Sequence, residues 1–172
     1  TPPGQTSDYI KRVIGLPGDT LEVRAGTVIL NGKPVERGPI HYRDMPVDKN
    51  ATCDPWQYPG ARINRPDGKI VCRLPIVTET LPNGRRFDTV ELGASPGDYY
   101  GPIKIPADHV FLMGDNRDDS LDSRFTPMQD GVGMVPAENL IGRADRVIFS
   151  SAGSSLLYFW TWRADRFLKA ID

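Results

Sequence analysis

Prolines and glycines recur along most of this chain, and they leave little room for helices of ordinary length. The 172 residues include 17 glycines and 16 prolines. Proline lacks a backbone donor and breaks a helix interior, while glycine favours turns. Between Gly38 and Pro102 the prolines are too frequent for long helices. The sequence therefore predicts a mainly β protein with few short helices.

Three dipeptides have the composition of tight hairpin turns: Asn31-Gly32, Asp67-Gly68 and Asn83-Gly84. Asn-Gly and Asp-Gly accept the positive φ angles that a two-residue hairpin turn requires. The first two turns have a predicted strand on each side, and Asn83-Gly84 precedes one. Strands are predicted over residues 27–30, 33–36, 61–64, 69–74 and 85–90.

Further strands are predicted near the two ends of the chain. Residues 9–14 suit a strand that ends at a Gly-Leu-Pro-Gly-Asp turn. Leu21 and Val23 alternate with polar residues, as in a strand buried on one face. Residues 110–113 and 141–149 complete the predicted set.

Helix is predicted at only two places. Residues 135–139 have an early proline and suit a single helical turn. Residues 154–171 mix aromatic and aliphatic residues with basic ones, which favours an amphipathic helix within a C-terminal amphipathic segment, residues 151–172. Its large apolar residues either pack on the β core or help to seat the domain on a membrane surface.

Charge and composition exclude several classes of protein. The 21 lysines and arginines against 22 aspartates and glutamates leave a formal net charge of −1, whereas nucleic-acid-binding domains usually carry a basic excess. The longest apolar stretch, residues 156–162, is far short of the ~20 residues of a membrane-spanning helix. Two cysteines and two histidines at irregular spacing do not match a zinc site. We therefore predict no nucleic-acid partner and no metal.

Cys53 and Cys72 allow two interpretations. They are either free thiols in a core or a disulfide, and an oxidising compartment would permit a bridge across the hairpin at Asp67-Gly68.

A polar run at residues 114–124 also allows more than one interpretation. Alternating oxygen-bearing side chains suggest a calcium loop, but Leu121 stands where that loop has glycine, and its bidentate glutamate is missing. Arg117 and Arg124 lie within the run, which favours internal ion pairing instead.

Lys11 lies among apolar residues of the first predicted strand. The pattern alone favours a lysine that points to solvent from a half-buried strand. The functional alternative is a lysine held in an apolar site, where desolvation lowers its pKa. A neutral amine can then accept a proton from a serine hydroxyl, as in Ser-Lys variants of the catalytic triad.

Two segments together resemble the signature motifs of bacterial type I signal peptidases. Residues 9–19, Tyr-Ile-Lys-Arg-Val-Ile-Gly-Leu-Pro-Gly-Asp, resemble the lysine-bearing motif of that family. Residues 114–124, Gly-Asp-Asn-Arg-Asp-Asp-Ser-Leu-Asp-Ser-Arg, resemble its second long signature, and residues 135–149 are similar to the strand region that follows. The resemblance implies a signal-peptidase-like β catalytic core, residues 1–19 and 104–150, with an inserted β subdomain at residues 20–103.

The resemblance also implies roles for individual residues. Lys11 matches the general base of the family, and Ser120 matches the serine whose hydroxyl orients that lysine. The matching support pairs are Arg12 with Asp115 and Asp122 with Arg124, and the positions that line the substrate groove are Asp8, Tyr9 and Ile10. In the family an extended peptide adds beside such a strand through backbone hydrogen bonds.

The family's nucleophile is a serine in a Ser-Met-x-Pro motif, and this motif does not occur in the 172 residues. We expect it to lie before Thr1, after a membrane anchor. A natural inactive homologue is the alternative. The chain as given is therefore expected to be inactive as a peptidase.

The resemblance implies a membrane-associated serine endopeptidase, a hydrolase that removes signal peptides during protein secretion without a cofactor. Its partners would be the signal peptides of exported preproteins and the membrane surface. It would be anchored in the bacterial cytoplasmic (inner) membrane, with this domain on the periplasmic side. The alternative is a non-catalytic β domain that binds extended peptides or protein partners.

Overall fold

A computed structural model describes residues 8–153 and 158–171, and their regular structure is almost entirely β, as predicted. Each described helix is a 3₁₀ turn of three residues. In chain order the strands are β1 (Arg12–Gly15), β2 (Thr20–Arg24), β3 (Thr27–Leu30), β4 (Lys33–Pro34), β5 (Glu36–Arg37), β6 (His41–Pro46), β7 (Arg62–Asn64), β8 (Ile70–Thr80), β9 (Arg86–Val90), β10 (Tyr99–Lys104), β11 (His109–Met113), β12 (Val135–Pro136), β13 (Arg146–Val147) and β14 (Lys169–Ala170). The 3₁₀ turns are Pro96–Asp98, Pro127–Gln129, Ala137–Asn139, Phe159–Thr161 and Ala164–Arg166.

The chain divides into two compact units. The first comprises Thr1–Ile40 and Ile76–Gly142, and the second comprises His41–Pro75 and Arg143–Asp172. Strand β8 begins in the second unit and ends in the first. These limits differ from the predicted division into core and insert, which was drawn on family motifs and stays a prediction.

Two sheets lie wholly within the first unit, one with the strand order β1-β11-β12 and the other with the order β10-β2-β3-β4. Strands β5 and β9 and the end of β8 also lie in this unit and belong to a third sheet. Strands β1 and β11 are antiparallel, with Arg12 opposite Met113. The turn between β3 and β4 has φ angles of 53° at Asn31 and 75° at Gly32, so the predicted Asn-Gly hairpin is confirmed.

The core of the first unit lies where apolar residues alternate along these strands. Leu21 and Val23 are 0% and 2% exposed, as their spacing predicts. Gly15 lies tightly against this core, because a Cβ there would lie 2.3 Å from Cδ1 of Ile105 and would force that side chain to shift. The core cluster is Ile14, Leu21, Val23, Val28, Leu30, Val35, Leu81, Phe87, Ile105, Phe111 and Met113.

Strand β8 forms one hairpin with β7, which precedes it, and another with β9, which follows it. The predicted turn at Asp67-Gly68 joins β7 to β8 in the second unit, and the turn at Asn83-Gly84 joins β8 to β9 in the first. In the second unit Cys72 of β8 forms a disulfide with Cys53, and both cysteines are buried.

The first strand begins later than predicted. It starts at Arg12, so residues 9–11 precede it rather than belong to it. Strand β11 ends at Met113, and the next amide, that of Gly114, donates to the carboxylate of Asp122 at 3.0 Å. The β1–β11 ladder therefore ends level with Arg12.

The predicted strand over residues 141–149 was too long, since only Arg146–Val147 is a strand. The predicted helix over residues 154–171 was wrong in its described part, 158–171; residues 154–157 lie outside the described residues. The chain there makes two 3₁₀ turns and then pairs β14 with β13, so its backbone bonds go to a distant segment instead of along a helix. Stacking of Trp162 on Phe149, with ring centroids 5.5 Å apart, accompanies this return. Among the described residues, no helix is both long enough and apolar enough to cross a membrane.

Candidate active site

Lys11 and Ser120 meet although 109 positions separate them in the chain. Lys11 lies directly before β1, and Ser120 lies in the segment that follows β11, residues 114–124, which we call the site loop. Because the end of β11 pairs with the start of β1, the site loop begins next to Lys11. The Lys11 Nζ then donates a hydrogen bond of 2.6 Å to the Ser120 Oγ.

The surroundings of Lys11 lower its pKa. Burial is the main cause that lowers the pKa of Lys11 below its ordinary 10.5, and the nearby charge of Arg124 lowers it further. Asp122 and Asp119 oppose this shift by their negative charge. The net direction is downward, which suits an amine that must accept a proton.

Both oxygens of the Asp122 carboxylate accept hydrogen bonds from other groups of the protein. Its Oδ1 accepts from the Arg124 Nε at 2.9 Å, and its Oδ2 accepts from the Arg124 Nη2 at 2.9 Å. The Gly114 amide also donates to Oδ2. Asp122 is 0% exposed and Arg124 is 6% exposed. This buried pair closes the site loop from its first residue to its last.

A second ion pair joins the two motifs at their surface. The Arg12 Nε and Nη2 donate to the two oxygens of Asp115 at 2.8 and 3.0 Å. The guanidinium carbon of Arg12 lies 4.1 Å from the centroid of the Phe87 ring. Phe87 belongs to the core cluster, so the ring fixes the plane of this guanidinium.

Gly114 allows the close approach of Ser120. A Cβ at Gly114 would lie 2.2 Å from the Ser120 Oγ and 2.5 Å from its Cβ. The first residue of the site loop must therefore be small for Ser120 to reach Lys11.

The sequence predicted that Arg117 forms an ion pair but did not identify its partner. Arg117 was expected to pair within the site loop, but its guanidinium binds Glu79 of β8, with bonds of 2.8 and 2.7 Å. Glu79 is 1% exposed and Arg117 is 4% exposed. An acidic residue in an otherwise apolar strand register was the available signal for Glu79. Phe87 carries no sequence signal beyond its place in a predicted strand.

The three residues expected to line a substrate groove lie just before β1. Ile10 is 86% exposed and Tyr9 is 50% exposed, and Asp8 is exposed as well. Strand β1 pairs with β11 and is the outer strand in the order β1-β11-β12.

Three carboxylates of the first unit come close enough together to suggest a cation site: Glu91, Asp98 and Asp118. Each already accepts from the protein, however. Arg37 pairs with Glu91, the Ser95 amide and hydroxyl donate to Asp98, and the amides of Leu92 and Gly93 donate to Asp118. Burial raises the pKa of Glu91 in spite of Arg37.

Lys11 and Ser120 bring together a partly buried amine with a lowered pKa and a serine hydroxyl, and such an amine can accept a proton. Comparison with known proteins points the same way. The family model described as signal peptidase, peptidase S26, matches residues 1–149.

Signal peptidase I of Rickettsia typhi is 34% identical over 158 residues, which cover 87% of this chain and 49% of that protein. Signal peptidase I of Leptolyngbya laminosa is 32% identical over 143 residues, which cover 83% of this chain and 41% of that protein. The chain thus spans about half the length of the curated relatives it matches.

Proposed function

The chain belongs to the signal peptidase family, peptidase S26, and we propose that the protein is a serine endopeptidase that removes signal peptides from exported proteins. Lys11 is the general base of this reaction, and Ser120 is the residue that orients it. The observation that carries the proposal is the 2.6 Å hydrogen bond between the Lys11 Nζ and the Ser120 Oγ, at an amine whose pKa is lowered chiefly by burial.

In the first half of the reaction, the neutral Lys11 amine accepts the proton of a serine hydroxyl as that oxygen attacks the scissile carbonyl carbon. A tetrahedral oxyanion forms. When it collapses, the C–N bond breaks, and the departing amine takes the proton from Lys11. The signal peptide is left as an ester on the serine.

In the second half, Lys11 accepts a proton from a water molecule that attacks the ester carbonyl. The C–O bond of the ester breaks, and Lys11 returns the proton to the serine oxygen. The same amine thus acts twice as base and twice as acid. No step uses a cofactor.

The nucleophile of this proposal is a Ser-Met-x-Pro serine encoded before Thr1. None of the four methionines, Met45, Met113, Met128 and Met134, follows a serine. The reading frame upstream of Thr1 tests this part directly. An unrelated domain in that position would favour the alternative, a non-catalytic β domain that binds extended peptides.

The substrates in this proposal are signal peptides, bound in extended form beside residues 8–10, and the site is on the periplasmic side of the bacterial inner membrane. The C-terminal amphipathic segment, which we call the tail, is described over residues 151–153 and 158–171. It supports contact with a membrane surface, because it exposes large apolar side chains next to basic ones. Trp160 is 68% exposed and Leu168 is 58% exposed, and Arg166 and Lys169 lie between or beside them.

The test is cleavage of a signal-peptide substrate by the natural protein with its upstream segment, measured across a pH series. Lys11→Arg should abolish cleavage, because a guanidinium does not deprotonate at a usable pH. Ser120→Ala should lower kcat by roughly 10- to 100-fold, because it removes an orienting contact but keeps the base. In the unchanged protein, kcat should rise with pH through the lowered pKa of Lys11.

Near-normal cleavage by Lys11→Arg would refute this mechanism. Binding of the substrate peptide without cleavage, by a natural protein that has no upstream serine motif, would instead support the non-catalytic alternative.

A further inference from the structure

The site loop is fastened to the β8–β9 hairpin by a buried ion pair. The Arg117 Nη1 and Nη2 donate to the two oxygens of Glu79, and both side chains are almost fully buried. We propose that Glu79, acting through Arg117, is a positioning residue of the Ser-Lys site and holds the site loop so that Ser120 stays on Lys11. The inference rests on the proposed function.

The first step of the argument is that Arg117 is linked to both sides of Ser120. Its carbonyl oxygen accepts a hydrogen bond of 2.6 Å from the Arg124 Nη2. The guanidinium of Arg124 binds Asp122, two positions after Ser120. A shift of Arg117 would therefore be transmitted to the residues on either side of the orienting hydroxyl.

The second step is that the same hairpin also supports the lysine motif. Phe87 of β9 lies directly opposite Glu79 in the β8–β9 ladder. Its ring packs against the guanidinium of Arg12, the residue that follows Lys11. One hairpin thus supports the residues next to Lys11 and the loop that carries Ser120.

The third step is that the backbone continues this attachment. The Val90 amide donates to the Asp115 carbonyl at 2.8 Å, and the Arg117 amide donates to the Val90 carbonyl at 3.2 Å. Strand β9 therefore holds the first half of the site loop through main-chain bonds, while Glu79 adds the side-chain bond that fixes the direction of Arg117.

The chemistry of the pair favours orientation over stability as its role. Burying a carboxylate and a guanidinium is costly, and well-packed apolar side chains of similar volume are often as stable or more stable. A bidentate pair, by contrast, fixes both distance and plane. Stability alone would not require these two charges at this place.

The direct test is to titrate Lys11 in the 172-residue chain. NMR of the methylene group next to the lysine Nζ monitors the titration, and the signal that is lost in Lys11→Arg assigns it. Glu79→Gln weakens the ion pair with Arg117 and should loosen the site loop. The pKa of Lys11 should then move up toward its ordinary value, because its burial decreases. In the natural protein, kcat should fall by roughly 10- to 100-fold while KM stays within about twofold.

A second variant guards against simple misfolding. Glu79→Gln combined with Arg117→Met removes both charges of the pair. Arg37, whose Nε lies 3.9 Å from the Glu79 Oε1, keeps Glu91 as its partner, so the double variant should fold. It should still raise the pKa of Lys11 and lower kcat.

Thr89→Val is the matched control, because the buried Thr89 hydroxyl donates to the Val77 carbonyl within the same hairpin. It should lower stability and leave the titration of Lys11 unchanged.

Folded Glu79 variants with an unchanged Lys11 titration and unchanged kcat would overturn this inference and leave the proposed function standing. An equal effect of Thr89→Val on Lys11 would overturn it as well, since hairpin stability would then be the cause. An ordinary pKa for Lys11 in the unchanged chain would overturn the proposed function, and the inference with it.

Discussion

Lys11 is held between opposing influences at the scale of single residues. Burial and the charge of Arg124 disfavour its protonated form, whereas Asp122 and Asp119 favour it. Asp122 is prevented from pairing with the lysine because Arg124 and the Gly114 amide bind both of its oxygens. The amine is left with a neutral hydroxyl acceptor at 2.6 Å, that of Ser120.

Replacing Lys11 by methionine should change how stability depends on pH. The pKa of Lys11 is lowered in the folded state, so the unfolded state binds more protons between that lowered value and 10.5. The free energy of unfolding of the unchanged chain should therefore rise with pH through this window, relative to that of Lys11→Met. Urea unfolding of both forms from neutral pH to about pH 10 measures the difference. Parallel stability curves would show that Lys11 titrates alike in both states.

Replacing Gly114 by alanine should separate Ser120 from Lys11. The new Cβ would lie 2.2 Å from the Ser120 Oγ, so the site loop must shift. We expect a stability loss of about 1–3 kcal/mol from overpacking, and a fall in kcat similar to that of Ser120→Ala. Gly142→Ala is the control, because nothing lies within 4 Å of a Cβ at Gly142. If the two alanine variants behave alike, the close approach of Gly114 and Ser120 is not what the site depends on.

At the scale of elements, the turns were predictable and the lengths of strands were not. Asn31-Gly32 forms its hairpin because both residues accept positive φ with no help from the rest of the chain. The start of β1 depends instead on where β11 stops pairing, and the Asp122 carboxylate decides that by taking the Gly114 amide. The tail forms no helix in its described part, because β14 pairs with β13.

The disulfide between Cys53 and Cys72 should stabilise the second unit against unfolding. Cys53 and Cys72 are 19 positions apart, and closing a loop of this size stabilises a fold by about 3 kcal/mol. Reducing agent should therefore lower the urea midpoint, observed through the fluorescence of Trp56, which lies inside the closed loop.

The variant with Cys53→Ala and Cys72→Ala is the control for the disulfide experiment, since reducing agent should leave its midpoint unchanged. An unchanged midpoint in the original chain under reduction would contradict the stabilising role of the bridge.

At the scale of the whole molecule, the two units carry different features. The first contains Lys11, Ser120 and the three ion pairs around them. The second contains the disulfide and the tail with exposed aromatic residues. The described part of the first unit is built from β-strands and contains no helix longer than a single 3₁₀ turn.

The tail should bind membranes if its exposed aromatic residues have the proposed role. The chain should co-sediment with anionic phospholipid vesicles, and removal of residues 154–172 should weaken this binding. Trp160→Ser should weaken it as well, and added salt should reduce it because basic residues contribute. Trp56→Ser is the matched control, an exposed tryptophan of the second unit outside the tail. Equal binding by the full and shortened chains would support packing in place of membrane contact.

The sequence by itself determined what depends on neighbours along the chain. Proline spacing excluded long helices between Gly38 and Pro102, Asn-Gly and Asp-Gly placed the turns, and the two motifs pointed to Lys11 and Ser120 as partners. Only the tertiary structure decided which distant side chains complete the site. Glu79 and Phe87 lie outside both family motifs, and they reach Arg117 and Arg12 because strand pairing brings them together. Such contacts follow from the packing of all strands at once, since pairing register and burial are collective properties that no local pattern contains.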